Sequence, residues 1–215
     1  MNHDTIRAVV LPGALPAAFE AACLVECTGV SRLSRLSPAP AGRTDPALFA
    51  EFNQPSAAGR LISLLQVLGH DAAVTVREAG GRRRYLVHGV LVAPQDRAII
   101  DRTLATAWRQ GRQALLATEQ LGATSPRHAQ RMTLARAAWQ AALRSCGSRR
   151  RRDEALWVRL GDQTLATVLI RAARLLGVNA EVVRRPGCLL VIVPATMPEV
   201  AAFPRTLGEA VATRG

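Results

Sequence analysis

Arginine carries most of the chemistry this chain has to offer. All of its basic side chains are arginine and none is lysine, and the formal net charge is +12. The arginines are clustered. Arg149, Arg150, Arg151 and Arg152 form an unbroken run; Arg82, Arg83 and Arg84 follow Gly80-Gly81; Arg184 and Arg185 precede Pro186-Gly187. A guanidinium stays ionised and presents a planar fork of donors that matches phosphate. A chain this basic points to a polyanionic partner, nucleic acid before others. The plain alternative is a generally adhesive basic protein.

Each cluster also has a plain reading. The run at Arg149 is a phosphate-contact candidate or a solvated loop. Arg82, Arg83 and Arg84 are a hook for a phosphate strand or a solvated hairpin tip. Arg184 and Arg185 sit at the matching tip further along, and recurrence at equivalent turns favours function for both. Arg32 and Arg35 are three apart in a strand-like segment, so they fall on opposite faces. Arg159 alternates with Trp157 and is exposed on a sheet or salt-bridged. Tyr85 is the aromatic placed to stack on a base, whereas Trp108 and Trp139 have helical spacing typical of core.

Other chemistries are poorly supplied. Cys23, Cys27, Cys146 and Cys188 form no CxxC pair. Cys23 and Cys27 share one helix face, and buried free thiols are the first expectation, ahead of a zinc site. His70, His88 and His128 are isolated. No Ser–His–Asp or Cys–His nucleophile pattern is recognisable, and a Walker loop is excluded without lysine. No cofactor or metal is called for. Pro12 and Pro16 break the N-terminal apolar run, which has no basic lead, so it does not read as a signal peptide. No apolar stretch is long enough to span a membrane. The expectation is a cytoplasmic, nucleoid-associated protein.

The elements that must position these residues come in two copies. The segment LLQVLGHDAAVTVR, from Leu64, recurs in degraded form as RAARLLGVNAEVVRR, from Arg171. In both, a helical run ends at Leu-Gly and a Val-rich strand carrying arginine follows. Repetition at half the chain length means that one architecture is used twice. In the first copy we read a helix at 16–29, strands at 30–36 and 47–52, and a helix to Leu68 capped by Ser56. A hairpin at 72–77 and 84–92 follows, then a long helix at 95–119 whose apolar side includes Ile99, Ile100, Leu104, Trp108, Leu115 and Leu116. Residues 122–126 are the best linker. The second copy reads as a helix at 126–147, a segment opening at Arg149, a strand at 155–160 and a helix to Leu176 capped by Asp162. A hairpin at 180–184 and 188–193 and a short helix at 197–211 complete it. The fold class is α+β, with two αββαββα halves spanning 1–122 and 123–215. Each half has an antiparallel four-stranded sheet with helices on one face and arginines on the other.

This order, with each copy opening on a helix that ends in glycine, resembles the LAGLIDADG homing-endonuclease fold. The closer resemblance is to the N-terminal region of the WhiA family, bacterial sporulation and cell-division regulators with a degenerate form of that fold. It covers roughly residues 19–203. The first motif is AACLVECTG, Ala21 to Gly29. The second is WQAALRSCG, Trp139 to Gly147, preceded by the basic run Arg131 to Arg136. The resemblance implies a pseudo-twofold monomer whose two sheets form a saddle over double-stranded DNA.

Two departures shape the functional expectation. Where the nuclease family holds its catalytic metal with an acid, this chain has Thr28 and Cys146. Neither is the hard carboxylate oxygen that Mg²⁺ prefers, and Glu26 lies off that position. A helix-turn-helix segment, which follows this region in the WhiA family, is not found after the second repeat. The expectation is therefore a non-catalytic DNA-binding protein, regulatory or architectural on the chromosome. It would grip the duplex through phosphate contacts that position rather than specify. The alternatives are a module that binds a regulatory protein and, further off, a residual nuclease.

Overall fold

A computed structural model describes residues 10–28, 45–80, 84–117, 125–146 and 156–193. The first half runs α1 (Leu15–Thr28), β1 (Leu48–Phe52), α2 (Pro55–Val67), β2 (Ala72–Ala79), β3 (Tyr85–Val92) and α3 (Pro94–Leu116). The second runs α4 (Pro126–Cys146), β4 (Leu156–Leu160), α5 (Gln163–Leu175), β5 (Glu181–Arg185) and β6 (Cys188–Val193). The strands pair antiparallel in the orders β1-β3-β2 and β4-β6-β5. The same order in both sheets confirms the duplicated architecture. The expected first strand of each half, at 30–36 and from Arg149, lies outside the described residues. So does the expected final helix at 197–211.

The repeated Leu-Gly has one physical cause in both copies. Gly69 and Gly177 adopt φ of 85° and 79°, a left-handed conformation that L side chains resist. At the end of α2, the Gly69 and His70 amides donate to the Gln66 and Leu65 carbonyls. At the end of α5, the Gly177 and Val178 amides donate to the Arg174 and Ala173 carbonyls. This paired arrangement is the Schellman stop, which satisfies carbonyls that would otherwise be left without partners. It turns each chain directly into its hairpin.

The helix starts are less alike. Asp162 caps α5 as expected, its Oδ1 accepting the Leu165 amide at 2.7 Å. Ser56 does not cap α2. The cap position is Gln54, whose side chain makes no capping bond, and Pro55 takes the first helical turn. Proline is pre-set for that position and lacks the donor a cap would serve.

The core lies between the helices and one face of each sheet. Small residues of α1 (Ala18, Ala21, Ala22) and α4 (Ala135, Ala138, Ala141, Ala142) are fully or almost fully buried. Without bulk between them, the two helices make the most extensive helix–helix contact among the described elements. Trp139 is fully buried, and its indole N–H donates to the Leu169 carbonyl at 3.0 Å. Phe19 stacks on Trp108 at 5.9 Å between centroids, with Gly111 of α3 beneath its ring. A β-carbon at Gly111 would collide with that ring. Of the apolar positions assigned to α3, Ile100, Leu104 and Leu115 are buried, whereas Ile99 is 47 % exposed. Its immediate neighbour Ile100 takes the core-facing position at that turn.

Candidate nucleic-acid interface

Strand alternation decides which side chains reach the open side of each sheet. In the first sheet, Ala50, Phe52, Val90 and Val92 belong to the core. The residues between them therefore point the other way. Cross-strand partners share a face, and the register pairs Glu51 with Gly89, Arg77 with Val87 and Ala79 with Tyr85. Glu51, Arg77, Tyr85 and Val87 thus occupy the face turned away from that core, where Val87 is itself buried. They line a cleft of about 250 Å³ together with Cys27, Thr28 and Ser145 from the ends of α1 and α4. The open face of the first sheet consequently abuts the ends of the central helix pair.

Arg77 on this face is matched by an acid, whereas Arg84 and Glu78 pair on the other side, since Glu78 lies opposite Leu86. Arg77 Nη2 lies 2.8 Å from Glu51 Oε1, and its Nε donates to the same oxygen at 2.9 Å. Arg84, just ahead of β3, sits 3.3 Å from Glu78 across the hairpin, with both side chains well exposed. Arg82 and Arg83 lie outside the described residues. Tyr85 is 51 % exposed, the only tyrosine and accessible for stacking.

The second sheet is different. Leu156, Val158, Leu160, Val191 and Val193 are core, which turns Trp157, Arg159, Leu190 and Ile192 to the open side. The register places Val183 opposite Leu190 and Arg185 opposite Cys188, on that same side. Arg159 and Arg185 therefore share the open face. Both are exposed, and neither makes an ion pair with another described residue. Arg184 faces the other way, sharing a side with Leu189 and the core valines, although it too is exposed at the sheet edge. Trp157 shares the face of Arg159, as the alternation predicts. Arg32, Arg35, Arg149, Arg150, Arg151 and Arg152 lie outside the described residues.

Several arginines hold the structure together and had no distinguishing signal as sequence. Arg60 of α2 clamps the buried carboxylate of Glu20 in α1 through two bonds of 2.7 and 2.6 Å. The hydrogen bond to Glu20 pushes the Arg60 guanidinium further up. Arg144 of α4 lies close enough that burial and repulsion from Arg60 lower its own pKa. Arg97 donates to the Leu48 carbonyl at 2.6 Å and lies over the Phe49 ring. Arg131 donates to the Ala117 carbonyl at the end of α3 at 2.8 Å. Glu20, an acid within an apolar helical run, was the one local hint of such a clamp.

The ends of α1 and α4 do not offer a hard-metal site. The Thr28 hydroxyl donates to the Val25 carbonyl at 2.7 Å. The Cys146 thiol and burial hold the Cys27 thiol well above its ordinary range. These donors do not fit Mg²⁺, which requires several oxygen ligands. Among the described residues, no group of three or more His, Cys, Asp or Glu side chains could hold a metal ion. Among them, too, no helix is long and apolar enough to cross a membrane.

Two first helices packed at a pseudo-dyad, each leading to an antiparallel sheet with one open face, define the LAGLIDADG fold. Comparison with solved structures gives the same result. The N-terminal LAGLIDADG domain of DUF199/WhiA aligns over 98 % of this chain and 87 % of its own, with a TM-score of 0.55 and 8 % identity. Full-length DUF199/WhiA from Thermatoga maritima aligns over 97 % of this chain and 69 % of its own (TM-score 0.46, 10 % identity). I-DmoI in complex with DNA and Mn aligns over 93 % and 99 % (TM-score 0.48, 12 % identity). The fold assignment rests on the first of these. No family model matches the sequence, and no curated protein does.

Proposed function

We propose that this chain is a non-catalytic DNA-binding protein that grips duplex DNA through arginine–phosphate contacts on the open faces of its two sheets. Its role would be regulatory or architectural on a bacterial chromosome. The observation that carries this reading is the exposed pair Arg159 and Arg185, which share one face of the second sheet with Glu181 yet make no ion pair with it or with any other described residue. The net charge of +12 supplies the long-range attraction. Phosphate contacts of this kind hold register and orientation but read little sequence.

Hydrolysis is not part of the proposal. Cutting a phosphodiester with a metal clamp requires oxygens that hold the ion at the scissile group. Thr28 and Cys146 are poor donors for that purpose, and the Thr28 hydroxyl already donates to the Val25 carbonyl. Plasmid incubated with the protein and Mg²⁺ or Mn²⁺ is expected to remain supercoiled. Nicking would overturn the non-catalytic part.

A second reading has its own support. Arg77 and Arg84 are neutralised by Glu51 and Glu78, and the open face of the second sheet carries Trp157, Leu190 and Ile192. A surface of apolar groups edged by arginine also suits an acidic regulatory protein. Anisotropy of a labelled random-sequence duplex, titrated at rising salt, separates the two. DNA binding through phosphates gives log K falling linearly with log salt. A flat plot, or no binding at low salt, favours the protein partner.

A further inference from the structure

The two sheets end in edges of different character. β2 and β5 hold the same place in the two halves, paired on one side to β3 and to β6. Among the described residues, nothing pairs with their other sides. β5 has only five residues and is charged at both ends by Glu181, Arg184 and Arg185, a pattern that discourages pairing with a further strand. β2 is eight residues long, and its first five are alanine, valine and threonine. We propose that β2 is a dimerisation edge, which pairs antiparallel with β2 of a second copy of this chain about a twofold axis.

The side chains favour a second copy over other occupants. Val74 and Val76 share the face of the core residue Val90, yet each is more than half exposed, as is Leu86 one strand further in. Apolar surface left open along a strand edge marks an interaction site. A register centred on Thr75 sets Val74 opposite the partner's Val76, and Val76 opposite the partner's Val74. Thr75 then meets the partner's Thr75, and Arg77 meets the partner's Ala73. Pairs of valine and of threonine stabilise a ladder, whereas like charges directly opposite oppose it; this register has none. The charges of β2 are already neutralised within one copy, Arg77 by Glu51 and Glu78 by Arg84. A polyanion or an acidic strand therefore gains little here, and a second copy meets little local repulsion. At each end of the pair, the exposed Asp71 of one copy comes to the hairpin end of the other, where the Arg84 side chain is 80 % exposed.

A twofold axis perpendicular to the sheet keeps like faces together, because directly opposite residues point the same way. The open faces of the two first sheets then lie side by side on one continuous sheet. Both copies use up the same edge, so assembly closes at two and does not grow into a fibre. The net charge of +12 opposes association at a distance, and salt screens that repulsion. Dimerisation therefore strengthens with salt, the opposite of phosphate-driven DNA binding.

The inference does not rest on DNA binding, and its test needs no DNA. Sedimentation velocity of the full chain, at rising concentration in low and high salt, is expected to show the mass moving from one chain toward two, further at high salt. Val76→Lys places a lysine on the edge of both copies and should weaken the dimer about tenfold or more. Ile99→Lys, at an exposed position on α3, should leave it unchanged. Directly opposite residues of an antiparallel pair have Cα atoms about 4.5–5.5 Å apart, within disulfide reach. Thr75→Cys is therefore expected to link to itself between two copies under mild oxidation, whereas Ala73→Cys, set opposite the partner's Arg77, should not. A single chain at every concentration and salt, a dimer indifferent to Val76→Lys, or a dimer in which Thr75→Cys stays unlinked would each overturn the proposal. The Thr75→Cys link, mapped by mass spectrometry of the peptides, decides the matter even if the lysine variant fails to fold.

Discussion

Removing Arg159 and Arg185 together is the sharpest perturbation of the proposed interface. Each arginine that neutralises a phosphate contributes about 0.9 to the slope of log K against log salt. At 0.15 M salt that contribution amounts to about fivefold in affinity per contact, extrapolated from 1 M. The double alanine variant should therefore lose about 1.8 from the slope and about 30-fold in affinity. Arg77 should behave differently. Glu51 holds it at 2.8 Å, so DNA would have to displace an ion partner before gaining the contact. Arg77→Ala should cost about twofold or less, and Glu51→Gln should tighten binding by freeing the guanidinium. The assay is fluorescence anisotropy of a labelled duplex at four or more salt concentrations. An unchanged slope in the double variant, or a larger loss at Arg77 than at Arg159, would refute the assignment of the second sheet as the phosphate-contacting face.

Three further outcomes test the fold that presents this face. Gly111→Ala drives a methyl into the Phe19 ring and should cost about 1–3 kcal/mol by denaturant unfolding, the range for overpacked cores; a neutral result would mean that Phe19 repacks freely. Asp162→Ala removes the cap on the Leu165 amide and should cost about 1 kcal/mol, whereas Ser56→Ala should be almost neutral because Ser56 caps nothing. Arg60→Met leaves the Glu20 carboxylate buried without its clamp. The cost expected from chemical denaturation is about 2 kcal/mol, below that of a fully buried pair because the Arg60 side chain is 37 % exposed and Arg144 lies nearby.

Much of the architecture was legible because it rests on local signals. The helix of α2, its Leu68-Gly69 stop and the hairpin that follows are each specified within a few residues. The same signals recur at Leu176-Gly177, which made the duplication readable. Local reading erred where neighbours compete for one position. Ser56 is a good cap by type, but Pro55 claims the first turn ahead of it. Ile99 and Ile100 are equally apolar, and only tertiary packing decides which one is buried.

Taken alone, the amino-acid order determined the charge, the two-copy plan, the helix stops and the alternation along each strand. These depend on composition or on contacts a few residues apart. The tertiary structure decided which arginines have a free open face. Register turns Arg185 toward that face and Arg184 away from it, a distinction invisible in the pair itself. Glu51 neutralises Arg77 across two strands, and Arg60 of α2 clamps Glu20 of α1. Such pairings arise only after the chain has paid loop-closure entropy to bring distant segments together, so no local pattern records them.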